Sequence, residues 1–344
     1  MMDSRSKRTN TLAASRDQHT SPRCLAPGVP KLVRAFLWAS NVYRRLLGVA
    51  LGVAGPRVAY AVTGLLARCL YRSLEAFRLR SEAQCRAALG ERVPIERIPE
   101  IAERSFVHRI WNLTDLMLAD RLLHPRTFDR YGGRLPDDQL AALLAAQRRR
   151  QPLILLTGYY GPFDLLPMFL GFSGVRAGVV YRPHGNADFD AYRKRIRGRG
   201  GCEMIPVDRA AGRLGEILAA GGAVAIVADH HAERGLPVTF LGLPTTAWRT
   251  VGLLAWRYEA DIAVAGIRRV GGQFRFEIVV TDTIKNEESQ RQPDPVAYIT
   301  NRYLRGLEKI ILGDPTQYIW GYARWGTDIA ERLVTGEPAT SRDD

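Results

Sequence analysis

An α/β fold with a mixed, largely parallel central sheet covered by helices is what this 344-residue chain predicts, and three observations predict it. From Leu153 onward, short apolar runs rich in β-branched residues alternate with helical stretches. Those runs are near-continuously apolar, as strands covered on both faces must be. Before residue 150 the apolar residues instead recur at helical spacing, which places a helical portion ahead of the sheet.

The elements follow in order. The first thirty residues are polar, basic and rich in Ser and Thr without an apolar core, so 1–30 reads as a disordered basic tail and not as a secretory signal. Residues 31–77 are strongly apolar, but Pro56, Arg57 and Arg68 cut them into pieces shorter than the roughly 18 to 20 uncharged residues of a spanning helix. An N-terminal helical membrane-associated hairpin fits, with Trp38, Tyr43, Lys31, Arg34, Arg44 and Arg45 at headgroup level. An ordinary buried helical subdomain is the other reading. "RIPEIAERSFVHRIWNLTDLMLADRLL" and "LPDDQLAALLAAQRRR" complete a helical region over 31–150, the second with Asp caps at its start and Arg in its last turn. An α/β domain then spans 151–328 and a flexible tail 329–344. Its expected strands are "LILLT", "GVVY", "EMIPV", "AVAIVA", "DIAVAGI" and "FRFEIVVT", with helices near Phe163, Asp188, Ala210 and Thr250. "PDPVAYITNRYLRGLEKIILGDP" predicts a helix capped by Asp294, with Pro295 in its first turn and an apolar stripe of Val296, Ile299, Tyr303, Leu307 and Ile310.

Composition bounds the partners. A formal net charge of +14 should attract anions: nucleic acid, acidic lipid headgroups or an acidic carrier protein. No nucleic-acid-binding module is recognisable and the basic residues are dispersed, which argues against nucleic acid. Cys24, Cys69, Cys85 and Cys202 lie far apart with no C-x-x-C pair, so free thiols are expected. No P-loop, dinucleotide fingerprint or metal cluster appears, so neither cofactor nor metal is expected.

Four segments at strand ends hold the polar residues of interest: "TGYYGPFD", "YRPHGNADFD", "ADHHAERG" and the late "PTQYIWGYARWGT". In a parallel sheet the first three emerge at one edge and converge on one cleft. In order and spacing, "VVYRPHGNADFD", "LAAGGAVAIVADHHAERGLPVTFLGLPTTAWRTVGLLAWR" and "DPVAYITNRYLRGLEKII" leading into "DPTQYIWGYARWGT" resemble the bacterial lipid A late acyltransferase family, from about Leu32 to Thr327.

The resemblance implies a site. The family's signature is a histidine followed after four residues by an acid, commonly within H-x-G-N-W-E. Aligned on Gly161, Asp164 keeps the acid, whereas Tyr159, Pro162 and Phe163 replace the histidine, asparagine and tryptophan. In the family the carboxylate orients the imidazole, which takes the acceptor hydroxyl's proton during attack on an acyl thioester. A phenol with a pKa near 10 is ionised only about one part in a thousand at pH 7, a deficit of about 4 kcal/mol in base availability. Tyr159 is therefore expected to hydrogen-bond Asp164 or a substrate oxygen, or to pack as an aromatic. His230 stands where the family usually has glutamine and is the candidate relocated base, with His231 beside it. Arg182 and Arg249 are candidates for substrate oxyanions, and His184, Asn186, Asp229 and His231 complete the expected substrate-binding set, although Asp229 also reads as fixing its loop. The late family pattern W-x-H-R-R-W is here "WGYARW", with Tyr322 and Ala323 in place of histidine and arginine.

The expectation is thus a membrane-associated acyltransferase on the cytoplasmic face of the inner membrane. It would move a fatty acyl group from acyl carrier protein or acyl-CoA to a hydroxyl of an anionic, lipid A-type acceptor. The alternative is a catalytically weakened or inactive member that binds lipid or acyl carrier.

Overall fold

The computed structural model describes residues 48–326, apart from 51 and 134, and residues 332–335. The basic tail, the groups Lys31, Arg34, Trp38, Tyr43, Arg44 and Arg45, and most of 329–344 lie outside the described residues.

Ahead of the sheet lie α1 (Pro56–Ser73), α2 (Glu75–Leu89), α3 (Ile98–Leu122) and α4 (Asp137–Arg148). Pro56 opens α1, where its missing N–H costs no helical hydrogen bond. Asp137 and Asp138 are not caps, because Pro136 holds that position; they lie inside the first turn of α4, with Arg148 in its last, as the helix dipole favours. Among the described residues no helix is long and apolar enough to cross a membrane.

The sheet contains β1 (Leu153–Thr157), β2 (Ala177–Tyr181), β3 (Glu203–Pro206), β4 (Ala223–Val227), β7 (Asp261–Arg269) and β8 (Phe276–Ile284), in the order β3-β2-β4-β1-β7-β8. All pairings are parallel except β7 with β8, which is an antiparallel edge hairpin. Parallel neighbours need long crossovers. These carry α5 (Leu166–Phe172), α6 (Ala187–Arg197), α7 (Ala210–Ala219) and α8 (Thr250–Tyr258). The predicted strands are all present, and the helix expected near Phe163 begins with a short 3₁₀ turn before α5.

β1 is central and buried along its whole length. Its Leu153 and Leu155 join Phe169, Ala225 and Ala263 on one side of the sheet, while Ile154 and Leu156 join Val224, Ile262 and Tyr303 on the other. Two cores therefore sandwich the sheet, as alternation along each strand requires. After the short α9 (Asn286–Gln290), α10 (Pro295–Gly313) closes the second core. Asp294 caps it by accepting the Ala297 N–H at 2.9 Å, and Val296, Ile299, Tyr303, Leu307 and Ile310 are all buried, as the stripe predicts.

One element differs from the sequence reading. The stretch after His230, expected to be a loop, is a hairpin of β5 (His231–Phe240) and β6 (Leu243–Ala247). Leu241 and Gly242 form its two-residue turn with φ of 52° and 83°, the twist such hairpins favour. Gly235 and Pro237 interrupt the strand pattern inside β5, and they are tolerated because β5 pairs on one side only.

Candidate active site

Strand register decides what meets at the open edge of the sheet. β1 and β4 are neighbours with Thr157 opposite Val227, so the residues just beyond each strand face one another. The Tyr159 N–H donates to Asp229 Oδ2 at 2.9 Å, and the Tyr159 hydroxyl lies 2.9 Å from His230 Nε2. On the other side of that ring, His230 Nδ1 is 3.2 Å from the Val227 carbonyl. A carbonyl only accepts, so Nδ1 carries the proton and Nε2 is the acceptor for the tyrosine O–H. Burial pushes the His230 imidazole below its usual range; Asp229 opposes the shift and Arg182 adds to it. The ring is therefore neutral at pH 7. Burial and then Asp229 push the Tyr159 phenol up, so it keeps its proton.

The turn bearing Tyr159 is held from behind. Gly161 has a φ of 54°, and a Cβ there would lie 1.9 Å from the Ile267 carbonyl oxygen, so only glycine fits. Its carbonyl accepts from Asn112 Nδ2 at 2.7 Å, and its N–H donates to the Gln317 carbonyl at 2.9 Å. The Ile319 N–H donates to the Tyr159 carbonyl at 3.2 Å, which ties the late segment to the same turn. That segment delivers Tyr322, whose ring centroid is 5.4 Å from Tyr159 and 5.8 Å from His230; Phe163 packs edge-on to Tyr159 at 5.1 Å. Tyr322 is partly exposed, so the aromatic cluster opens to solvent there.

Asp164 is not placed as the family pattern implies. Its carboxylate is buried and pairs with Arg193 Nη2 at 3.0 Å and with Arg197, both on α6. The Tyr159 hydroxyl bonds His230 instead, which corrects the expected Tyr159 to Asp164 contact. The physical reason is charge: two guanidiniums outbid a phenol for a buried carboxylate. Burial by itself would raise the Asp164 carboxyl, but Arg197 and Arg193 hold it below its usual range. A depressed folded value means stability that is present above the unfolded pKa of about 4 and lost as pH falls through the lower folded value. Asp164→Asn is accordingly expected to flatten the acid limb of a stability profile followed by urea unfolding. An acid limb unchanged by the substitution would show that the pair is not formed.

The other expected residues divide. Arg182, exposed just after β2, is near enough for its charge to act on Tyr159, His230 and Tyr322. Asp229 is wholly buried and accepts the Tyr159 N–H, which ties the β1 and β4 loops together. Asn186 is the α6 N-cap, accepting the Phe189 N–H at 3.0 Å, and the exposed His184 accepts the Asn186 N–H at 3.1 Å through Nδ1. The first residue of β5, His231, turns toward Thr245 at 3.2 Å. Arg249 is exposed at the start of α8. Among the described residues no three His, Cys, Asp or Glu side chains are grouped to hold a metal ion.

Sequence reasoning missed the support from α3. Arg109 is close enough to act electrostatically on Tyr159. Behind it, the wholly buried Arg269 pairs with Asp115 and donates to Asn112 Oδ1 at 3.0 Å and His108 Nδ1 at 2.5 Å, while Asp115 also accepts from Tyr60. Burial, then Arg269, push the His108 imidazole down to about 3, so it is neutral. Asn112 thus links a buried ion pair to the Gly161 carbonyl. The sequence signal was Asp115, an acid set between the apolar residues of a helical run.

A family model described as bacterial lipid A biosynthesis acyltransferase matches residues 106–327, which include this site and begin within α3. No curated protein matches the chain.

Proposed function

Because the chain belongs to the bacterial lipid A biosynthesis acyltransferase family, we propose that it moves a fatty acyl group from a thioester donor, acyl carrier protein or acyl-CoA, to a hydroxyl of a lipid A-type saccharolipid. The observation that carries the reading is the hydrogen bond from Tyr159 to His230 Nε2. The acceptor oxygen attacks the thioester carbonyl carbon, a C–O bond forms, and the C–S bond breaks as the thiolate leaves. The acceptor's proton passes to the Tyr159 oxygen while the Tyr159 proton passes to His230 Nε2; the imidazolium then returns a proton to the departing sulfur. In such a relay the phenol never ionises alone, so its raised pKa is no obstacle. Arg182 and Arg109 supply positive charge beside the pair, where the carbonyl oxygen becomes negative.

The same bond supports a second reading. Tyr159 occupies the one free lone pair of His230, so the protein is instead a non-catalytic member that holds lipid or acyl carrier. A purified-protein assay with acyl carrier thioester and saccharolipid acceptors separates the two. Turnover requiring both substrates supports the enzyme, and binding of either without turnover supports the second reading.

The cytoplasmic face of the inner membrane is the proposed location. One face of α1 leaves Val58, Val62, Leu65, Leu66 and Leu70 exposed, with Leu65 and Leu66 more than 60% accessible, and Arg57, Arg68 and Arg72 are exposed on the same helix. That pattern suits a helix lying in an anionic interface. Leu65→Glu with Leu66→Glu is expected to lower co-sedimentation with phosphatidylglycerol-containing vesicles at least about tenfold, since each buried leucine is worth roughly 1.5–3 kcal/mol. Undiminished sedimentation would remove α1 as the anchor.

A further inference from the structure

Away from the Tyr159 and His230 pair, a cavity of about 480 Å³ opens between α1, α3 and the turn joining β7 to β8. Its volume lies in the roughly 300–1,000 Å³ range of ligand pockets. Arg68, Arg104, His108, Trp111 and Arg269 line it, and Gly271 and Gly272 bring bare backbone to its wall.

Donors outnumber free acceptors there. Arg269 can only donate, so its contact at His108 Nδ1 fixes the ring proton on Nε2. That Nε2–H has no protein acceptor among the described residues. Arg269 Nε is buried and likewise has no hydrogen-bond partner. Arg68 meets Glu103 only at 3.6 Å and Arg104 meets Glu100 only at 3.5 Å, both loose and half exposed. Of the two acids that line the cavity, Asp314 is already engaged, accepting from Thr316 through Oδ1 and from Gln317 through Oδ2, while the half-exposed Glu100 meets Arg97 and Arg104 only at 3.8 and 3.5 Å.

We propose that this cavity binds a phosphate monoester, held by the guanidiniums of Arg68 and Arg104 and by the Nε2–H of His108. Donors lining one cavity from two helices, Arg68 on α1 and Arg104 and His108 on α3, suit the several oxygens of a tetrahedral oxyanion better than a single carboxylate edge. Arg68 extends from the helix whose apolar face is exposed at Leu65 and Leu66, so a lipid headgroup can reach the cavity as readily as a soluble phosphate. The site shares no side chain with the proposed proton relay and stands whether or not the protein turns over acyl thioesters.

The test is titration calorimetry of the full chain with inorganic phosphate, beside an Arg68→Gln/Arg104→Gln variant whose changes fall on half-exposed side chains. The wild type is expected to bind in the millimolar range or tighter, and the variant at least about tenfold more weakly, as loss of charge-assisted hydrogen bonds implies. Sedimentation with phosphatidylcholine vesicles carrying either phosphatidic acid or phosphatidylglycerol identifies the source. A preference for the monoester lipid that the variant loses assigns a headgroup. Phosphate binding that the variant weakens, without such a preference, assigns a soluble ligand. No phosphate binding by the wild type, or equal binding by both proteins, overturns the site.

Discussion

Arg269→Met is expected to lower the unfolding free energy by about 3–5 kcal/mol, the usual cost of leaving one member of a buried ion pair without its partner. Asp115 is wholly buried, and after the substitution its carboxylate would keep only the Tyr60 hydroxyl. Methionine fills volume but supplies no donor to Asn112 or His108, which lose contacts of 3.0 and 2.5 Å. The aromatic surroundings worsen the loss. The guanidinium sits 5.6 Å from the Tyr60 ring centroid and 5.4 Å from that of Trp111, a place built for a cation. Arg269→Lys is not expected to rescue, because an ammonium cannot reach three acceptors in one plane. Asp115→Asn combined with Arg269→Met should recover part of the stability, since no uncompensated charge remains. The readout is the urea midpoint at unchanged slope. A shift worth less than about 1 kcal/mol would mean that water screens the pair, as at exposed ion pairs.

The strands were legible because each is a short apolar run bounded by turn residues, and the α10 helix because Asp294, Pro295 and a regular stripe mark it. Convergence of the loops at one edge followed from parallel pairing. What no local pattern reveals is neighbourhood. β1 lies beside β4 and not beside β2, and only that order puts Tyr159 against His230. Asp164 shows the same limit. The family resemblance implied an orienting carboxylate there, while the residues that claim it, Arg193 and Arg197, stand four apart on one face of α6 within a basic stretch. That spacing was a readable signal. The β5–β6 hairpin stayed hidden because Gly235 and Pro237 interrupt its pattern and its turn is Leu-Gly, without the Asn-Gly or Asp-Gly that usually betrays such turns.

His230→Gln is expected to lower kcat for acyl transfer by about 100- to 10,000-fold, the range lost with a general base. Glutamine keeps a polar side chain of similar reach beside Tyr159, so the loss reports proton acceptance and not collapse of the site. The companion change decides between the two readings of the Tyr159 hydroxyl. Tyr159→Phe keeps the ring that packs at 5.1 Å on Phe163 and 5.4 Å on Tyr322 and removes only the oxygen. In a relay the phenol is the one path from acceptor to Nε2, so Tyr159→Phe should cost about as much as His230→Gln, and the double variant should cost little more than either. If the hydroxyl is instead a stopper on His230, removing it frees Nε2, and Tyr159→Phe should raise the rate while His230→Gln abolishes the gain. The pH profile gives a second check on the base. Burial holds the imidazole pKa below 6.5, so kcat carried by neutral His230 should be flat near pH 7 and fall only on the acid side, as Nε2 takes a proton. A rate that survives both substitutions with its acid limb unchanged would exclude His230 as the base and move the chemistry away from the β1 and β4 loops.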